Sequence, residues 1–245
     1  MSRIFRALER AESEGKRAST GDLRPSRVAE SIPELDLPEP RDEYERLKVM
    51  LALAANGSDQ KSIMFVSALP GEGVSTVTLG FACAAVEAAS QGVLVVDANL
   101  ARPDLAARLG VVAKSGLSEL LGKEITRADA ILRTPVQRLL FLGPGRKLVD
   151  LSQSRARDLV EELLADLRTA FDYVVVDGGA LRGPSHSLLL ASRMDAVVLV
   201  VRAERTGIEA AHAATVQLRK AGANLLGTIL NRRREYLPNF LARRL

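Results

Sequence analysis

Residues 62–76 read SIMFVSALPGEGVST, from Ser62 to Thr76. The first seven are apolar or small, with no helical period, and predict a buried strand. Gly71 and Gly73 then permit a tight backbone turn, and a helix is expected from Ser75 to about Ala89. A strand, a glycine-rich loop and a helix amino end in that order make an anion cradle, because successive N–H groups point inward. Gly71, Glu72, Gly73, Val74, Ser75 and Thr76 are therefore the expected phosphate-binding residues, with the Ser75 hydroxyl offered to Mg²⁺ and that of Thr76 to a phosphate. A loop of this kind normally carries a lysine where Val74 stands. Losing one preorganised charge costs roughly 3 kcal/mol of transition-state stabilisation, about 100-fold in rate. The backbone cradle survives that loss. A phosphate site, kept or vestigial, is preferred over a corner with no ligand.

Working outward, further strand-like runs are VLVVDA, LLFLG, YVVVDGG, AVVLVVRA and LLGTILN. The longest helical stretches between them are Ser75–Ala89, Ser154–Ala170 and Gly207–Ala221. Continuous apolar, β-branched strands alternating with helices predict an α/β fold, a doubly wound and mainly parallel sheet with helices on both faces. Such folds gather ligands at the carboxyl ends of their strands. Asp97 and Asp177 end two of the runs. Asp97 is the candidate catalytic residue, placed to hold Mg²⁺ or activate a hydroxyl. Ser75, Asp97 and Asp177 together form the candidate metal site.

The chain has 245 residues, 47% of them hydrophobic, so one large domain with a full core is expected. Residues 42–245 are assigned to that domain and 1–41 to a helix and flexible linker. In residues 1–14, Ile4, Phe5, Leu8 and Ala11 share one face of an amphipathic helix. Residues 15–40 are rich in Ser, Pro and charge, and a further helix is expected over 42–55. The single cysteine, Cys83, forms no internal disulfide and is read as core. No apolar run reaches the length of a membrane span, and the charged amino end is unlike a signal peptide. A cytoplasmic protein is expected. The net charge of +4 permits nucleic acid without demanding it, and the basic tail lacks aromatics for base stacking. No nucleic-acid partner is expected.

The three acidic and loop motifs together resemble the bacterial tyrosine-kinase (BY-kinase) branch of ParA/MinD-type P-loop ATPases, which includes regulators of capsule and exopolysaccharide synthesis. The resemblance runs from about Asp42 to the carboxyl end. It rests on PGEGVST, on VVDANLARP followed by the helix start at Gly116–Leu121, on VVVDGGA, and on the closing LNRRREYLPNFLARRL. It implies a P-loop fold, ATP and Mg²⁺ as cofactors, and cofactor contacts at Arg102 and Asn231, the latter toward the adenine base. It also implies a partner, the cytoplasmic segment of a membrane polysaccharide chain-length or co-polymerase protein, which would recruit the chain to the inner membrane. The departures fall in the chemistry. Val74 replaces lysine, Asn99 and Ala101 replace an aspartate and an arginine, and Gly179 and Ala180 replace two prolines. Asp42, Glu45 and Lys48 stand where the family has a Glu-Arg-Arg motif associated with subunit packing in homo-oligomers. The tyrosine-rich tail is reduced to Tyr236. The expected function is a BY-kinase-like regulator of exopolysaccharide synthesis and export with weakened phosphoryl transfer, a pseudokinase in the limit. The alternatives are an active tyrosine autokinase, in which Arg102, Lys147 or Arg182 replaces the lysine, and a ParA/MinD-type positioning ATPase.

Overall fold

The computed structural model describes residues 41–54, 60–146, 154–181 and 186–233. The expected amino-terminal helix, the linker, Lys147, Arg182 and the tail beyond residue 233 lie outside them. In chain order the elements are α1 (Arg41–Ala54), β1 (Ser62–Ser67), α2 (Val74–Ala88), β2 (Val93–Asp97), α3 (Leu105–Arg108), α4 (Leu117–Leu121), α5 (Arg127–Ala130), β3 (Ile131–Arg133), β4 (Leu139–Leu142), α6 (Ser154–Ala170), β5 (Tyr173–Ala180), α7 (His186–Ala191), β6 (Ala196–Arg202), α8 (Ile208–Lys220) and β7 (Leu225–Asn231).

The strands form one sheet in the order β3-β4-β2-β5-β1-β6-β7. Every neighbouring pair is parallel except β3 with β4. The chain leaves β1 toward β2 and β4, returns through β5, and then builds β6 and β7 on the other side. The direction of winding thus reverses around β1, the arrangement that opens a crevice at the strands' carboxyl ends. The three-residue β3 was not among the expected strands. It is too short to show a period, and it pairs antiparallel on the sheet edge.

Strand pleating divides the core in two. Met64, Val66, Leu94, Val96, Val174, Val176 and Leu199 face a cluster completed by α4, α6, α7 and α8. Ile63, Phe65, Val93, Val95, Val175 and Val198 face the other, completed by α1, α2 and α3. The central strands bury both faces, which explains their unbroken apolar runs. Cys83 is only half-buried and packs against the second cluster. On that side, α1 lies across α2. Gly80 of α2 touches the Tyr44 ring so closely that a Cβ there would stand 2.2 Å from it.

At the amino ends of the strands, Asp195 organises a polar knot. Its Oδ2 accepts from the N–H groups of Lys61 and Ser62, at 3.1 and 2.8 Å, and from the Ser62 hydroxyl at 2.9 Å. Arg168 of α6 donates to the same oxygen at 3.2 Å and to the Arg193 carbonyl at 2.6 Å.

Candidate functional site

The loop between β1 and α2 has the conformation its glycines require. Gly71 and Gly73 have φ of 81° and 94°. A side chain at Gly73 would also collide with the Asn231 amide, 2.2 Å from the Cβ position. Helix α2 starts at Val74, and the Gly73 carbonyl accepts its first bond, from the Val77 N–H at 3.0 Å. Glu72 turns its side chain inward and is 1% exposed. Its carboxylate accepts from the Leu69 N–H at 2.9 Å and, closely, from the Thr206 hydroxyl. The side chain braces the loop, leaving the Glu72 backbone on the cleft side. Asn231, at the end of β7, donates from Nδ2 to the Glu72 carbonyl at 2.9 Å and accepts at Oδ1 from the Arg232 N–H at 2.8 Å. In this structure the amide holds the loop.

Asp97, the last residue of β2, is paired in register with Asp177, after which β5 runs on to Ala180. By the pleat they share the face of Val95 and Val175, the face on which α2 lies. Both are fully buried. Asp97 accepts from the N–H groups of Asn99 and Leu105, at 3.1 and 3.2 Å. Burial, and then the charge of Asp177, push its pKa up to about 7, against the downward pull of those two bonds. Burial pushes Asp177 up to about 6, opposed by the Ser75 hydroxyl, the Gly179 N–H and the charge of Arg108. Gly179 donates to Asp177 Oδ1 at 2.9 Å, whereas Oδ2 is buried and has no hydrogen bond of ordinary geometry. A second orphaned carboxylate oxygen is Asp104 Oδ1. Unsatisfied anionic oxygens beside a serine hydroxyl suit a hard divalent cation. No three His, Cys, Asp or Glu among the described residues are grouped to hold a metal alone. The donor set accordingly fits Mg²⁺ shared with water and phosphate oxygens rather than a closed protein cage.

The loop and these strand ends enclose a cleft of about 330 Å³, lined by residues 70–76, Asn99, Ala101, Arg102, Asp104, Arg108, Gly179, Ala180 and Arg232, among others. Asn99 forms a small turn, bonding the Arg102 N–H and carbonyl through its side-chain amide. That amide also lies against Gly179, whose φ is 63° and whose Cβ position would be 2.7 Å from Asn99 Cγ. Arg102 is exposed at the rim. Val74 is buried at 6% in the second apolar cluster.

Sequence reasoning missed Asp104 and Arg108. Arg108 Nη1 donates to the Thr76 hydroxyl at 3.2 Å, and its Nε donates to Asp104 Oδ2 at 3.0 Å. The i,i+4 acid–base spacing was a visible sign of one helical turn, but nothing local pointed that turn at the loop. Lys48 bonds to Glu45 at 2.6 Å and to the Ala84 carbonyl at 3.4 Å, so these two residues of the subunit-packing motif's positions are engaged within the chain.

No protein-family model matches the chain. Tyrosine-protein kinase YwqD of Bacillus subtilis is 28% identical over 78% of this chain and 80% of its own length. The succinoglycan biosynthesis transport protein ExoP of Rhizobium meliloti is 30% identical over 72% of this chain, which spans only 23% of that longer protein. The VpsO kinase domain superposes with a TM-score of 0.66 at 28% identity, covering 79% of this chain and 96% of the domain. The septum site-determining protein MinD of Pyrococcus horikoshii, solved with Mg-ADP, gives 0.57 at 25% identity over 75% and 76%. The homologues of this chain are thus bacterial tyrosine-protein kinases, and its structural neighbours are their kinase domains and the MinD-type ATPases.

Proposed function

We propose that the chain is an ATP- and Mg²⁺-binding, BY-kinase-like regulator of exopolysaccharide synthesis and export whose phosphoryl transfer is weakened. The observation that carries the reading is the in-register pair Asp97 and Asp177 beside Ser75 and the glycine loop, with Asp177 Oδ2 orphaned. In this reading the backbone of Gly71–Val74 cradles the phosphates, while Ser75 and the two aspartates hold the ion. Weakened transfer is supported by Val74, by Asn99 tied up in a turn, and by Ala101. A role in polysaccharide systems is supported by the likeness to ExoP, a succinoglycan biosynthesis transport protein. The partner in this reading is the cytoplasmic segment of a membrane co-polymerase. Among the described residues no helix is long and apolar enough to cross a membrane, which fits attachment through such a partner.

Calorimetry with ATP tests the reading. Binding should strengthen on adding Mg²⁺ and lose that Mg²⁺ dependence in Asp177→Ala, and the isolated protein should accumulate little phosphotyrosine. Absence of ATP binding would overturn the nucleotide reading. Strong tyrosine phosphate that vanishes in Asp97→Ala would overturn the weakened transfer.

A further inference from the structure

Val74, the apolar residue in the lysine's position, is buried at the amino end of α2. Val74 belongs to the same buried cluster as Leu105, which opens the short helix of Arg108, and Leu109, which follows it. The Leu105 N–H is anchored on Asp97, and Arg108 Nε on Asp104. These contacts carry the guanidinium over the first turn of α2, where Nη1 meets the Thr76 hydroxyl. Of the arginines among the described residues that line the cleft, Arg102 and Arg232 are exposed at its rim. The Arg108 side chain is 25% exposed and reaches the loop itself. Its charge also acts on Asp177, favouring the carboxylate.

We propose that Arg108 is the phosphate-contacting cation of this cleft, delivered from α3 in place of the lysine that position 74 lacks. The inference rests on the nucleotide reading above. A guanidinium is well suited to the task, since its planar fork can bind two phosphate oxygens at once. Asp104 fixes the fork's orientation, so less freedom is lost when phosphate arrives. The charge therefore comes from a segment 34 residues beyond the loop position that normally holds it, by the numbering of Val74 and Arg108.

The test is ATP affinity, with Mg²⁺ present, for the full chain and for Arg108→Gln and Arg108→Lys, beside melting curves of each protein without ligand. The expected result is a loss of roughly 10- to 100-fold in Arg108→Gln, the size of one charge-assisted contact. Arg108→Lys keeps most of the affinity, and the ligand-free melting points stay close together. Unchanged or tighter binding by Arg108→Gln, beside a wild type that binds, overturns the inference and leaves the nucleotide reading standing. Equal losses in both variants would mean that the side chain only braces Thr76, and also overturn it. A wild type that binds no ATP overturns both.

Discussion

Asp97 and Asp177 give up solvent side by side, and the ligand-free protein bears the cost. Both carboxyls have pKa values raised above 3.8, to about 7 and about 6, mainly by burial. The folded state therefore holds protons that the unfolded chain has already released between about pH 4 and pH 7. Stability falls as pH rises through that window. Each pKa unit corresponds to about 1.4 kcal/mol, so the expected loss is on the order of a few kcal/mol. Melting in EDTA should give a lower Tm at pH 8 than at pH 5, and Asp97→Asn or Asp177→Asn should flatten the dependence. An unchanged slope in both variants would assign it elsewhere. Both aspartates were legible in the sequence because each ends an apolar run that a parallel sheet must bury, and strand ends converge. Arg108 was not legible, because a four-residue helix has no period of its own and its target, Thr76, is a tertiary neighbour.

At the scale of elements, α1 depends on a missing side chain. Gly80 lies inside α2, where glycine costs about 1 kcal/mol relative to alanine, and the close approach of Tyr44 explains its presence. Burial there also raises the Tyr44 pKa, with the nearby Glu43 charge adding to it. Gly80→Ala gains helix propensity yet forces the ring away. The net expectation is a loss of roughly 1–3 kcal/mol, as for overpacking generally, and faster proteolysis within α1. A more stable Gly80→Ala protein with α1 still protected would contradict this. The expected helix over 42–55 corresponds to Arg41–Ala54, and the strand-like runs carry the six strands other than β3. The helix is long enough to express a period, and the strands show themselves as unbroken apolar runs. The antiparallel edge and the small helices α3 and α5 do neither, since tertiary contacts set their limits.

The molecule as a whole separates stability from binding along the strand direction. Asp195, Ser62 and Arg168 tie the amino ends together, whereas the cleft occupies the carboxyl ends. Asp195→Ala leaves the Lys61 and Ser62 N–H groups and the Arg168 charge poorly satisfied, at a cost of about 2–4 kcal/mol. For a domain of this size that is a Tm decrease on the order of 5–10 °C. Below the transition, ATP affinity should match the parent protein. A large fall in affinity at a temperature where the variant is folded would show that the two ends are coupled.

The contact between Asn99 and Gly179 ties together two positions that lie 80 residues apart, by their numbering. Glycine at 179 holds a positive φ that proline's ring forbids, and the Asn99 amide fills the space any side chain there would need. Proline at 179 would demand a new backbone path and a displaced neighbour at the same time, whereas aspartate at 99, with the shape of asparagine, would demand neither. The coupling is therefore one-sided: a side chain at 179 has to be accommodated at 99, while an isosteric change at 99 leaves 179 as it is.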